Sequence, residues 1–189
     1  MENREIEIKF LEIDVDDVKK HLIAAGARDL GDDSIRETVF YDQEMKWPKE
    51  NEFVRIRSTK KGVRLTYKHS DETTIDGTEE IEFGVDDAEK TKALLLAVGL
   101  VAFREQEKKR HSFILGEVMA DIDTWPGIPT YLELEGPSEE ALKHASDALG
   151  FDWSKRHFGT ASHIIQDIYH VPVKSFKYFT FEKQEKWRF

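Results

Sequence analysis

The chain has 189 residues, 39% of them hydrophobic, which is enough for one good core and predicts one main domain. Its formal net charge of −10 argues against general binding of nucleic acid, because phosphate contacts need an accessible surplus of Lys and Arg. The absence of cysteine excludes disulfides, thiolate nucleophiles and thiolate metal sites. No signal pattern opens the chain, and the longest apolar run, at 93–103, is too short to span a bilayer, so we expect a cytoplasmic protein.

Hydrophobic spacing and end signals predict three amphipathic helices and a shorter fourth one. The predicted ranges are Asp14 to Gly26, Asp86 to Gly99, the GPSEE motif at 136–140 to Gly150, and about Thr160 to Tyr169. In the second helix, Asp86 and Glu89 have the spacing of a capping box. Each of the first three helices ends at a glycine, the residue that most readily adopts the left-handed conformation of a helix end.

Alternating segments between the helices predict eight β-strands. They lie near 3–10, 35–42, 52–59, 62–69, 78–84, 100–115, 117–123 and 130–135. The segment KKG at 60–62 predicts a hairpin turn between two of them. The tail at 171–189 is rich in aromatic residues and lysine, and we interpret it as an extension appended to a main domain at 1–170. Three roles remain open for the tail: closing a tunnel mouth, pairing with a second subunit as a homodimer, or packing on the barrel, which is favoured.

Charged residues alternate with apolar residues in most of the predicted strands, beginning with REIEIKF at 4–10. Residues two apart on a strand share a face at a spacing of roughly 6.6 Å, so each strand has one charged face. The acidic members of these faces are Glu5, Glu7, Glu80, Glu82, Asp121, Asp123, Glu133 and Glu135, and the basic members are Lys9, Arg55, Arg57, Arg64, Lys68, Lys108 and Arg110.

The apolar faces must be covered, and the amphipathic helices are the elements available to cover them. Six to eight antiparallel strands can curl into a barrel, whose lumen would then contain the charged rows. Burial of unpaired ions costs several kcal/mol each, so such a lumen must be filled by water, metal and a polyanion. The predicted fold is therefore α+β: an eight-stranded antiparallel β-barrel tunnel with a charged lumen and helices packed on its outside.

The presence of both acidic and basic rows in one lumen indicates the kind of substrate that it binds. Carboxylates from separate strands can bind hard divalent cations such as Mg²⁺ or Mn²⁺, which prefer oxygen ligands and bridge to phosphate oxygens. Arg and Lys rows can hold the remaining phosphate oxygens. The pattern therefore indicates a metal-bound polyphosphate, and phosphoryl transfer needs little beyond such positioning and charge neutralisation.

The ordered motifs extend this interpretation to a family. They are EIEIK at 5–9, RIR at 55–57, LTYK at 65–68, EIE at 80–82, KKR at 108–110, Asp123 and LELE at 132–135. Taken in order, they resemble the CYTH superfamily of triphosphate tunnel metalloenzymes, which includes class IV adenylyl cyclases, thiamine triphosphatases and inorganic triphosphatases. The resemblance covers about residues 3 to 169 and implies a tunnel that binds a triphosphate and one or two divalent cations.

The resemblance also implies a role for each matching residue. The acidic positions near the metals are Glu5, Glu7, Asp123, Glu133 and Glu135. The basic positions along the phosphates are Lys9, Arg55, Arg57, Lys68, Lys108 and Arg110. The candidate catalytic residues are Lys9, which helps to position the attacking water in hydrolytic members, and the acidic pair Glu80 and Glu82, whose role varies among members.

We therefore expect a metal-dependent hydrolase of a triphosphate, either inorganic triphosphate or an organic one such as thiamine triphosphate. One alternative is a class IV adenylyl cyclase that converts ATP to cyclic AMP and pyrophosphate, although nothing in the sequence identifies a pocket for the base. A second alternative is a non-catalytic polyphosphate-binding module, against which the acidic rows argue. The expected partner is a small molecule with a triphosphate group, with no nucleic acid and no membrane.

Overall fold

The computed structural model describes residues 3–70 and 78–188, with side chains at 6–69 and 79–188. The side chain of Glu5, a predicted metal ligand, therefore lies outside the described part. No helix in the described ranges is both long and apolar enough to cross a bilayer.

The described residues form ten strands. These are β1 (Asn3–Phe10), β2 (Arg28–Tyr41), β3 (Glu52–Thr59), β4 (Gly62–Ser70), β5 (Thr78–Val85), β6 (Val101–Leu115), β7 (Val118–Thr124), β8 (Tyr131–Gly136), β9 (Phe176–Phe179) and β10 (Gln184–Lys186). Antiparallel pairing runs in the order β6, β2, β3, β4, β5, β1, β8 and β7, and β7 pairs with β6 again. The predicted eight-stranded antiparallel barrel is confirmed. Among the described residues, β1 pairs with β5 through three residue pairs, from Asn3 opposite Glu80 to Glu5 opposite Thr78.

Strand β2 begins at Arg28, earlier than the predicted start near residue 35. Its first half contains Gly31 and four charged residues, which have low intrinsic strand propensity. That half nevertheless pairs with the long strand β6, from Arg28 opposite Ile114 onward. Tertiary pairing overrides local propensity here, which is why the sequence pattern missed the segment.

The predicted helices are present as α1 (Val15–Ala24), α2 (Ala88–Ala97), α3 (Glu139–Ala148) and the short α4 (Ala161–His163), which continues into a π-helical turn at Ile164–Ile168. Asp14, at the predicted start of the first helix, caps α1 by accepting a hydrogen bond from the backbone of Asp17 at 3.0 Å. The cap of α2 is Asp87 rather than the predicted Asp86. The carboxylate of Asp87 accepts from the backbone of Lys90 at 3.0 Å, which places the helix start one residue later.

The helices pack on the outside of the barrel. Leu22 of α1 and Leu142 of α3 are fully buried against the outward apolar residues of β1, β7 and β8. Leu95 of α2 packs against β2 and β3. The cover is incomplete on β5, where Ile81 and Phe83 point outward and remain 63% and 51% exposed.

The tail adds two short strands that the sequence pattern did not predict. Strand β9 runs parallel to β6, where Tyr178 pairs with Glu105, and β10 returns antiparallel to β9. Phe176 and Phe179 are buried in a cluster with Trp125 and Tyr131. The tail therefore packs on the barrel, and its strands are too short for periodicity to reveal them.

Candidate functional site

The inward faces of the strands line one cavity inside the barrel. Its charged and polar lining residues are Glu7, Glu37, Arg55, Arg57, Lys68, Arg104, Gln106, Lys108, Arg110, Glu133, Glu135, Thr160 and Ser162. Eight of the predicted site residues are in this set. Lys9, Asp123 and Glu80 contact members of it directly. The structure thus brings the distant charged rows into a single lumen.

Strand alternation explains why the charges point inward. On β3, Arg55 and Arg57 line the cavity, while Val54 and Ile56, which alternate with them, are buried in the outer core beneath α2. A shift of one residue in register would place the arginines in that apolar layer, at a cost of several kcal/mol for each uncompensated charge. The apolar pattern of the outer face therefore sets the orientation of the charged one.

Strands β1 and β8 form an acidic wall with Lys9 at its centre. Glu7 lies opposite Glu135, and Lys9 lies opposite Glu133, across the two strands. The Nζ atom of Lys9 is 3.0 Å from Oε1 of Glu7 and 3.3 Å from Oε2 of Glu133. Burial lowers the pKa of Lys9, but the charges of the two glutamates outweigh it and leave that pKa raised above 10.5. Lys9 is therefore a charged ammonium inside the wall.

Arg110 joins β6 to the carboxylates of β7 and β8. Its Nε and Nη2 atoms donate to the two oxygens of Asp123, each at 2.6 Å, and Nη2 also donates to Oε1 of Glu133 at 2.9 Å. Its Nη1 atom contacts Asp121. Burial raises the pKa of Glu133, but the charges of Lys9 and Arg110 outweigh it and hold that pKa well below 4.5. Glu133 is therefore a carboxylate at neutral pH.

Lys108 lies two residues before Arg110 on β6, on the same face of the strand, and also binds Asp123. Its Nζ atom donates to Oδ2 of Asp123 at 2.6 Å and lies 5.3 Å from the ring centre of Trp125. Burial, followed by the charge of Arg110, lowers the pKa of Lys108 below 10.5. An anion beside Lys108 would favour the charged ammonium and so offset both effects.

Glu37 of β2 is a central site residue that the sequence prediction missed. It accepts hydrogen bonds from Arg57 at 2.7 Å and Gln106 at 2.6 Å, and Arg55 lies 3.5 Å away. Burial raises the pKa of Glu37, but the charges of Arg57 and Arg55 outweigh it and lower that pKa far below 4.5. Glu37 shares its strand face with the apolar residue Val39 and with Tyr41, so it does not belong to a row of charged residues that the sequence pattern could reveal. The available signal was a lone carboxylate within an apolar alternation.

Arg104 and Gln106 were missed as well. They precede Lys108 and Arg110 on β6 at the same two-residue spacing and line the same cavity. The four residues form one inward row, so the spacing that identified Lys108 and Arg110 could have been extended toward the start of the strand.

The predicted catalytic pair Glu80 and Glu82 lies on β5. Glu80 is 3.2 Å from Nζ of Lys68 and 3.9 Å from Nη2 of Arg55. Glu82 accepts hydrogen bonds from Thr66 at 2.8 Å and Arg64 at 2.9 Å. Both carboxylates therefore hold basic or hydroxyl side chains of the neighbouring strand β4.

The donor types of the acidic wall suit a hard divalent cation, because carboxylate oxygens are the ligands that Mg²⁺ and Mn²⁺ prefer. Glu7 and Glu135 face one another in register and both line the cavity. Among the described side chains, no three Asp, Glu or His residues gather as a metal site. Glu5, two residues before Glu7 on β1, would be the next carboxylate of this wall, and its side chain is outside the described part.

Comparison with known proteins identifies the same architecture. A family model described as the CYTH domain matches residues 3–158. Similar solved structures include the PH1012 protein of Pyrococcus horikoshii OT3, with 19% identity, 81% of this chain and 94% of that chain covered, and a TM-score of 0.67. A putative adenylate cyclase of Vibrio parahaemolyticus has 12% identity, coverage of 88% and 99%, and a TM-score of 0.71.

A putative adenylyl cyclase of Hippeastrum, described as having a dominant triphosphatase activity, has 16% identity, coverage of 89% and 98%, and a TM-score of 0.62. No curated protein sequence matches the chain. At these identities the solved structures show a shared fold. The family model covers most of the 189 residues, and the chain therefore belongs to the CYTH domain family.

Proposed function

We propose that the protein is a divalent-metal-dependent hydrolase of a triphosphate group. The observation that carries the proposal is the meeting of basic side chains from β3, β4 and β6 with an acidic wall from β1 and β8 in one lumen. Membership of the CYTH family supports it, because CYTH proteins are typically triphosphatases or adenylyl cyclases and bind triphosphate substrates.

The basic wall would bind the phosphate chain. Arg55, Arg57, Lys68, Lys108 and Arg110 all line the cavity, and each has a carboxylate partner. These carboxylates orient the cations, while N–H groups directed into the lumen would donate to phosphate oxygens. Phosphate binding then exchanges one set of charge-assisted hydrogen bonds for another, so the cations need no separate desolvation.

The acidic wall would hold the metal and the attacking water. Glu7, Glu133 and Glu135, with Glu5 and Asp123, are the proposed ligands of Mg²⁺ or Mn²⁺. When bound, the ion neutralises phosphate charge and lowers the pKa of bound water. Lys9, held between Glu7 and Glu133, would donate to a phosphate oxygen or to the attacking water. Glu80 and Glu82 would position Lys68, Arg55 and Arg64 for the substrate.

The cyclase reaction also needs a pocket for adenine, and the rings of Trp125 and Trp47, which could stack on a base, already pack against other aromatic side chains. Trp125 is buried against Phe179 and donates from its indole nitrogen to Tyr131 at 2.9 Å. Trp47 packs edge-on against Tyr67. These contacts favour hydrolysis over cyclisation.

One assay tests the proposal. The purified protein is incubated with inorganic triphosphate, thiamine triphosphate and ATP, each with Mg²⁺ or Mn²⁺, and orthophosphate, pyrophosphate and cyclic AMP are measured. Release of orthophosphate that depends on the metal is the expected result. Cyclic AMP with pyrophosphate would replace the proposal with the cyclase, and binding without turnover would replace it with a polyphosphate-binding module.

A further inference from the structure

Arg104 differs from the other cations that line the lumen. It is 3% exposed and faces the cavity from β6. Its Nε atom donates to Oε1 of Gln106 at 2.6 Å, and its Nη1 atom donates to the carbonyl of Val173 at 3.2 Å. Within the described part of the chain, no carboxylate lies within ion-pair distance of Arg104, and its two hydrogen-bond acceptors are neutral oxygens.

The other lining cations all have carboxylates. Arg57 lies 2.7 Å from Glu37, and Lys108 lies 2.6 Å from Asp123. A buried guanidinium bound only by neutral oxygens bears a desolvation penalty that no counter-charge offsets. An anion that entered the lumen would supply that counter-charge and accept hydrogen bonds from the guanidinium group.

The position of Arg104 indicates which anion. Arg104, Gln106, Lys108 and Arg110 form one inward row on β6. Six residue steps along a strand extend roughly 20 Å, which is much longer than three phosphate groups joined by single bridging oxygens. A triphosphate held at Lys108 and Arg110 would therefore leave Arg104 available for further phosphate along the same line.

Gln106 supports this geometry because it is a neutral link in the row. Its Oε1 atom accepts from Arg104, and its Nε2 atom donates to Oε2 of Glu37 at 2.6 Å. Glu37 in turn binds Arg57. This chain of hydrogen bonds holds Arg104 in one orientation and couples it to the basic wall of the proposed triphosphate site.

We propose that Arg104 binds a phosphate group beyond the third, so that the lumen takes a linear inorganic polyphosphate of four or more phosphates in preference to triphosphate. The proposal rests on the proposed function in one respect, namely that the lumen is a polyphosphate site. Its rival is a purely structural role, in which Arg104 anchors the tail through the carbonyl of Val173.

Binding affinity separates the two roles without requiring turnover. Calorimetry in the presence of a chelator gives dissociation constants for linear triphosphate and linear tetraphosphate. We expect the unmodified protein to bind tetraphosphate about tenfold more tightly, the size of one charge-assisted contact. Arg104→Gln should abolish that preference and leave the affinity for triphosphate unchanged. Arg36→Gln, at an outward arginine whose side chain is 82% exposed on β2, is the matched control and should keep the preference.

Arg104→Lys is a second variant that keeps the proposal testable if Arg104→Gln does not fold. It keeps the charge but lacks the second terminal nitrogen, so it should retain only part of the preference for tetraphosphate. The proposal is overturned if the unmodified protein binds both anions equally, if Arg104→Gln weakens both to the same degree, or if Arg104→Lys leaves the preference intact. A protein that shows the Arg104-dependent preference but releases no orthophosphate with metal would contradict the proposed hydrolase and leave this inference standing.

Discussion

The Nε atom of Arg57 lies 2.7 Å from Oε1 of Glu37, and Glu37 also lies 3.5 Å from Arg55. One buried carboxylate thus compensates two guanidinium groups in the wall of the lumen. Glu37→Gln should lower the free energy of unfolding by about 3 kcal/mol, because it removes the counter-charge of Arg57 and the nearer of the two carboxylates beside Arg55. Denaturant unfolding measures the loss. Inorganic triphosphate should raise the melting temperature of this variant more than that of the unmodified protein, and an equal rise would contradict the counter-charge role.

Arg57→Ala should raise the KM for inorganic triphosphate roughly tenfold, because it removes a charge-assisted contact to phosphate. Initial rates across substrate concentration, with the melting temperature measured in parallel, give the result. Arg36→Ala, outside the barrel on the neighbouring strand, is the control and should leave KM unaltered. An unaltered KM for Arg57→Ala would count against its phosphate-binding role.

Glu7→Gln should abolish metal-dependent turnover while the barrel remains folded, because it removes a carboxylate oxygen from the proposed metal site. Orthophosphate release at increasing Mg²⁺ or Mn²⁺, together with circular dichroism, tests this. Glu117→Gln is the matched control, because it makes the same substitution at an exposed turn between β6 and β7, outside the lumen. Activity equal to the control would refute the assignment of Glu7 to the metal.

Glu133 should make stability sensitive to acid. Although burial raises its pKa, Lys9 and Arg110 together hold that pKa well below 4.5, its ordinary value. A lowered pKa in the folded state means that the carboxylate stabilises the protein above about pH 4.5, and that this contribution is lost as pH falls from there toward the folded-state pKa. Free energies of unfolding measured down this range should fall less steeply for Glu133→Gln. If the free energy of unfolding falls equally steeply with pH in both proteins, Glu133 is not responsible for the acid sensitivity.

Phe179→Ala should destabilise the protein by about 3 to 5 kcal/mol, because Phe179 is fully buried against Trp125 and Phe176 and its loss leaves a cavity. Phe181→Ala provides the control, since Phe181 is a surface residue two positions later. Equal denaturation midpoints for the two variants would show that the tail is not part of the packed structure.

The charged rows were predictable because strand alternation is a local property of the chain. EIEIK, RIR and LELE each place charge at every second residue, and a face of that kind is excluded from the apolar core, so it points into a wet lumen or into bulk water. The barrel, its outer helices and eight of the lining residues followed from this pattern. The first half of β2 and the strands of the tail did not, because long-range pairing with β6 forms them against weak local preference.

The sequence by itself determined which side chains share a face of each strand, because the side-chain period of a strand is a fixed property of its backbone. Only the tertiary structure decided which of these side chains contact one another. Glu37 became the shared partner of Arg55 and Arg57, and Arg104 was left with neutral acceptors, because these contacts depend on which strands are neighbours and in what register. Register is set by the packing of whole faces, and no local stretch of sequence contains it.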